Sequence, residues 1–113
     1  MFKLFARKGA GSMAIEAMLA ECGARHEVED LTRDESGSLP KWFHEINPRA
    51  EVPTLILPDH SVMTESAAIL IYLGDAFPEA GLAPAIASPL RPRYLRWLAF
   101  MAAAMASLSF GSE

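Results

Sequence analysis

Apolar residues along this chain recur with two periods, and the switches between them mark out its elements. Phe2 to Ala6 is a short apolar run broken by Lys3 and bounded by Gly9 and Gly11, which predicts a first strand. Ser12 then opens a helix, because Ile15, Met18, Leu19 and Cys22 fall at i, i+3, i+4 and i+7 and Gly23 stops it. His26 to Leu31 alternates weakly and reads as a second strand, parallel to the first across the helical crossover. Thr32 to Ser38 is polar loop. Leu39 to Ile46 predicts a short helix turning Trp42, Phe43 and Ile46 inward, ended by Asn47-Pro48. Thr54 to Leu57 and His60 to Met63 are two short strands joined at Pro58-Asp59. Ser66 to Phe77 is helical and apolar on nearly all sides, so it is expected to be buried.

Pro78 to Pro89 carries three prolines and a glycine and reads as a linker. Beyond it, Tyr94 to Ser109 is helical, with Leu95, Leu98, Met101, Met105 and Leu108 on one stripe. Its apolar run from Trp97 to Phe110 is well short of the ~20 residues that span a membrane. The chain thus divides into a domain at 1–77, a linker at 78–89 and a helical segment at 90–113.

Composition narrows the function classes. At 113 residues, 51% apolar and 21% charged, the chain can bury a core without disulfides or metals. Its formal net charge of -4 makes no electrostatic case for nucleic acid, and the acidic stretch Glu27 to Glu35 is interrupted by Arg33 like a solvated surface. The single cysteine, Cys22, allows no internal disulfide, no CxxC redox pair and no cysteine zinc site. It is expected to be an inert core residue in mid-helix. His26, His44 and His60 show no metal-ligand spacing. No apolar segment follows the basic residues Lys3, Arg7 and Lys8, so no signal peptide is expected and the location is read as cytoplasmic.

Candidate chemistry concentrates in Glu51-Val52-Pro53-Thr54-Leu55 and Thr64-Glu65-Ser66-Ala67-Ala68-Ile69-Leu70. Pro53 cannot donate to a sheet ladder. A cis bond before it would leave the Val52 N–H and C=O unpaired, so that an extended peptide could dock there as one more strand. Glu65 and Ser66 sit where an apolar helix begins, and a helix N-terminus offers free N–H groups and partial positive charge to a carboxylate. The two segments together describe a pocket for a small acidic peptide.

The same residues carry a family resemblance, running from Met1 to about Phe110. Asn47-Pro48-Arg49-Ala50-Glu51-Val52-Pro53 resembles the loop before the cis-proline of the glutathione S-transferase family, and Thr64 to Leu73 resembles the start of that family's third helix. The resemblance implies a thioredoxin-like α/β fold, βαβ-α-ββα with a mixed four-stranded sheet, followed by the first helix of an all-helical domain. It implies glutathione as cosubstrate without a metal, Val52 and Pro53 as the backbone dock, and Glu65 and Ser66 on the γ-glutamyl carboxylate. Thr64 is a weaker candidate; Lys41 and Arg49, with His44 beside them, are weaker ones for the glycyl carboxylate. Glu51 is acidic where an anionic ligand would prefer a cation or amide.

Glutathione transfer needs a thiolate, and a free thiol with a pKa of roughly 8.5 is mostly protonated at neutral pH. The family places its hydroxyl or thiol donor at the end of the first strand or the start of the first helix. The matching stretch here is Gly9-Ala10-Gly11-Ser12, which makes Ser12 the catalytic candidate. Serine is also among the best helix N-caps, and both readings of Ser12 stand. Gly11 occupies the position where some bacterial members carry cysteine, so a glutaredoxin-type mechanism lacks its nucleophile.

Two functions therefore compete. One is a transferase that activates glutathione for attack on an unidentified electrophile. The other is a non-catalytic binding or assembly module, because only the first helix of the helical domain is present. The apolar stripe on that helix predicts a homo-oligomer, such as a dimer with the helix exchanged between chains. Neither nucleic acid nor membrane is expected as a partner.

Overall fold

The structure is a computed structural model that describes residues 1–7 and 12–111, with side chains described to residue 104. Its elements are β1 (Phe2–Ala6), α1 (Met13–Glu21), β2 (His26–Asp30), α2 (Lys41–Ile46), β3 (Thr54–Ile56), β4 (Val62–Thr64), α3 (Ser66–Ala76), a 3-10 turn at Pro78–Ala80, and α4 (Arg91–Gly111). The four strands form one mixed sheet in the order β2-β1-β3-β4. β1 and β2 are parallel, with Phe2 opposite His26 and Ala6 opposite Asp30. β3 runs antiparallel to both β1 and β4. This is the thioredoxin-like βαβ-α-ββα arrangement.

Alternation along β1 divides the interior in two. Phe2, Leu4 and Ala6 join Leu55, Ile15 and Leu19 of α1, and Ile69 and Leu73 of α3, in one cluster. Phe5 turns to the other face and packs with Leu31, Leu39 and Phe43 of α2. The sheet is therefore sandwiched, with α1 and α3 on one side and α2 on the other. Each fully buried Leu, Ile or Phe contributes roughly 1.5–3 kcal/mol of transfer free energy.

Several elements differ from the expectation. β4 begins at Val62 and not at His60, because the turn closes with the His60 N–H donating to Leu57 C=O at 2.8 Å. Trp42 does not turn inward: it is 45% exposed and packs on Phe5 and Phe43 from the rim, at ring separations of 5.7 and 6.2 Å. The third helix is buried on one face only; Ile69, Leu73 and Gly74 face the core while Ala68, Tyr72, Asp75 and Ala76 are exposed. Cys22 caps the C-terminus of α1, half-buried, where the expectation placed it in mid-helix. The last helix starts three residues early, at Arg91, because a proline at the second position of a helix lacks only an N–H that would have no partner there. On its stripe, Leu95 and Leu98 are half-buried and Met101 is exposed, while Met105 and Leu108 lie outside the described side chains.

Candidate functional site

One row of the sheet gathers the candidate residues. Thr54, the first residue of β3, pairs with Phe5 near the end of β1 and with Thr64 at the end of β4. Whatever precedes Thr54 or follows Ala6 and Thr64 must therefore emerge at the same end of the sheet. Val52 and Pro53 precede Thr54, Glu65 and Ser66 follow Thr64, and Ser12 opens the helix that follows β1. Topology thus brings Ser12, Val52, Pro53, Thr64, Glu65 and Ser66 to one end.

Ser12 resolves its two readings in part. Its backbone C=O accepts the first helical bonds, from Ile15 N–H and Glu16 N–H at 3.1 Å each. Its side chain caps nothing: the residue has helical φ and ψ (-75° and -12°), and the hydroxyl makes no capping bond. The residue is 3% exposed, and Oγ has no hydrogen-bond partner among the described residues. A buried hydroxyl left unpaired costs about 1–3 kcal/mol, so its position asks for a reason beyond helix initiation. Gly9, Ala10 and Gly11 of the same stretch lie outside the described residues.

The loop before β3 is held by side chains whose part the sequence did not reveal. Asn47 is buried, and its Nδ2 donates to Glu51 C=O at 3.2 Å and to Thr54 Oγ1 at 3.1 Å. Its Oδ1 accepts from Arg49 N–H at 3.1 Å, and Thr54 Oγ1 donates to Glu51 C=O at 2.7 Å. This network fixes the backbone on both sides of Val52. The Val52–Pro53 peptide is cis, Pro53 is buried, and neither backbone group of Val52 has a hydrogen-bond partner among the described residues. The only signal for Asn47 in the sequence was Asn-Pro, which marks a helix end and says nothing of the amide.

Glu65 stands at the N-terminus of α3 with φ at 73° and ψ at 112°, in backbone space that a side-chain-bearing residue seldom enters. Such a conformation costs of order 1–3 kcal/mol and persists where surrounding structure imposes it. Its carbonyl receives the Ile69 N–H at 3.0 Å, and its side chain makes no capping bond. The N–H groups of the first turn, Ser66 among them, precede that first helical bond and have no intrahelical acceptor. Ser66 and Thr64 are half-buried.

The other candidates are less closely gathered. Arg49 Nε pairs with Glu51 Oε1 at 2.7 Å, which also neutralises the acidic side chain beside Val52. Both groups are well exposed, so the pair itself is worth little. Lys41 and His44 are exposed on α2, and among the described residues no hydrogen bond or ion pair ties either to the cluster. Burial pushes the Cys22 thiol up, with the Glu21 and Glu79 carboxylates adding to it, and Sγ lies 3.9 Å from Leu73 C=O. It is not a thiolate waiting at the site. Among the described residues no cluster of His, Cys, Asp or Glu could hold a metal, and no helix is long and apolar enough to cross a membrane.

Residues 12–76 match the family model for the glutathione S-transferase N-terminal domain. The chain belongs to the glutathione S-transferase family. It is 33% identical over 102 residues to glutathione S-transferase GstA of Escherichia coli O157:H7, an alignment covering 88% of this chain and 50% of that protein. It is 38% identical over 88 residues to protein LigF of Sphingobium, covering 78% of this chain and 34% of that one. Among solved structures, a glutathione transferase of Methylococcus capsulatus superposes with a TM-score of 0.78 at 33% identity, covering 98% of this chain and 63% of the other. A sphingomonad glutathione S-transferase complexed with glutathione gives a TM-score of 0.73 at 39% identity, covering 88% and 50%. The chain spans about half the length, or less, of the curated relatives it matches.

Proposed function

We propose that this chain binds glutathione at the Ser12–Val52–Ser66 end of the sheet and holds its sulfur as a thiolate. The tripeptide lies against the unpaired backbone of Val52 as an added strand. Its γ-glutamyl carboxylate meets the first-turn N–H groups of α3 and the Ser66 hydroxyl, with Glu65 beside them. Ser12 Oγ donates to the sulfur, and the thiol proton passes to solvent. The observation that carries this reading is the buried hydroxyl of Ser12, without a hydrogen-bond partner among the described residues, at the same sheet end as a Val52 backbone likewise unpaired among them and an uncapped helix N-terminus. A solved relative of 39% identity with glutathione bound supports the ligand's identity.

Transfer of the bound glutathione to an electrophile is the activity this assignment leads to. A second reading, a binding or assembly module, draws on the last helix: Trp97, Phe100 and Met101 are half or more exposed on α4, a surface suited to a second copy. Calorimetric titration with reduced glutathione, with the mass in solution measured alongside, tests both. Saturable binding that weakens in Ser66→Ala by one charge-assisted hydrogen bond, roughly 1.5–3 kcal/mol, supports the pocket. A well-folded sample that binds no glutathione at millimolar concentration refutes it and leaves the assembly reading.

A further inference from the structure

Helix α4 is the least integrated element of the protein. None of its described side chains is fully buried, and neither core cluster includes a residue beyond Phe77. Its main packing partner is α3. An open groove of roughly 500 Å³ runs between α4 and the strap that precedes it, lined by Leu82, Pro84, Leu90, Tyr94 and Trp97, so apolar contact there is incomplete. Among the described residues, a single guanidinium makes the side-chain polar attachment of α4 to the body. Arg91 Nη1 and Nη2 form a fork onto the Asp75 carboxylate of α3, at 2.7 and 2.8 Å. Nη1 also donates to Pro84 C=O of the strap at 3.0 Å. The group lies 5.4 Å from the centre of the Tyr94 ring, and its side chain is 12% exposed. Three segments of chain thus meet at one cation.

We propose that Arg91 is a latch that docks the strap and α4 onto the thioredoxin-like body, so that α4 releases as a unit when the latch is broken. A forked pair is stronger than a single-contact ion pair, and here the guanidinium is mostly covered while the Asp75 side chain is 31% exposed; losing the cation leaves both Asp75 and the Pro84 carbonyl without it. The body keeps its own two clusters, which include no α4 residue. Half-buried Tyr94, Leu95 and Leu98 are the competing anchor.

Amide hydrogen exchange on the whole chain separates the two. In Arg91→Ala, exchange across residues 95–104 is expected to rise about tenfold or more, while β1, β3 and Ile69 to Leu73 keep their protection. Asp75→Asn should reproduce the pattern, and Arg91→Lys, which keeps charge without the fork, should fall between. Unchanged protection of α4 in both Arg91→Ala and Asp75→Asn would overturn the latch in favour of the apolar anchor. Loss of protection in β1 and α4 together would overturn it too, by showing that α4 is not separable.

Discussion

Replacing Ser12 by alanine should move the free protein and its glutathione complex in opposite directions. In the free protein the hydroxyl is buried with no hydrogen-bond partner among the described residues. A group in that state costs about 1–3 kcal/mol, and deleting one oxygen leaves only a small void. The backbone carbonyl that starts α1 is untouched, and φ and ψ are already helical, so alanine fits. The ligand-free variant should therefore be unchanged, or more stable by up to about 1 kcal/mol. With glutathione bound, the thiolate loses a charge-assisted bond of roughly 1.5–3 kcal/mol. At 1.36 kcal/mol per pKa unit, that raises the bound thiol by about 1–2 units. Chemical denaturation of the ligand-free protein and the ultraviolet absorbance of the bound thiolate against pH read the two halves. A serine that merely caps the helix predicts the reverse, a loss of about 0.5–2 kcal/mol on substitution. Destabilisation of that size, with an unshifted thiol, would refute the reasoning.

Asn47→Ala removes three hydrogen bonds from the loop before Val52, taking the acceptor from the Arg49 N–H and leaving the Glu51 carbonyl and Thr54 hydroxyl only their bond to each other; about 2–4 kcal/mol of stability should be lost in denaturant melts. Glutathione affinity should fall with it even in protein that remains folded, because the dock is no longer held. Gly74→Ala places a methyl group 2.8 Å from Ala83 Cβ and 3.3 Å from Met18 Cε, so thermal unfolding should show a cost of about 1–3 kcal/mol. Cys22, its thiol pushed up by burial first and by Glu21 and Glu79 next, should react with a disulfide reagent near pH 8 several-fold more slowly than free cysteine, the gap closing in denaturant.

What the sequence shows and conceals follows from the range of each interaction. The periodicity of Ile15 and Leu19 belongs to a single helix, so α1 and the face it buries are readable before any fold is known; α3 is readable as a helix, but apolar residues on nearly all its sides hide which face, that of Ile69 and Leu73, is buried. The same holds for Val52-Pro53 and Glu65-Ser66, because chain punctuation is local chemistry. Other features are set by partners distant in sequence. The last strand extends to Thr64 because Thr64 pairs with Thr54, and no pattern within residues 60–64 says so. Glu65 adopts a left-handed backbone although glutamate has no preference for one; the turn between β4 and α3 imposes it. Asp75 and Arg91 meet across 16 positions, and Asn47 spends its amide on atoms four and seven residues away. Ser12 is the instructive case, since its type fits a cap perfectly well and only its burial, with no partner among the described residues, motivates the proposed role.

The row Phe5–Thr54–Thr64 also gives the protein a front and a back. β3 leaves the end of the proposed site and β4 returns to it, so the turn between them, Leu57 to Ser61, stands at the opposite end of the sheet. That turn is closed by its own bonds, with Asp59 Oδ1 accepting from Ser61 N–H at 3.0 Å and from Ser61 Oγ at 2.6 Å, and its tip is exposed. Side chains alternate along a strand, so a one-residue insertion at the front would turn Thr54 and Leu55 to the wrong faces and empty the core of Leu55. An insertion at the back lengthens a solvent-exposed loop at little entropic cost. For anyone attaching a fluorophore, an affinity peptide or a second protein to this domain, residues 58–60 are the handle, and the other end of the same hairpin is the part to leave alone.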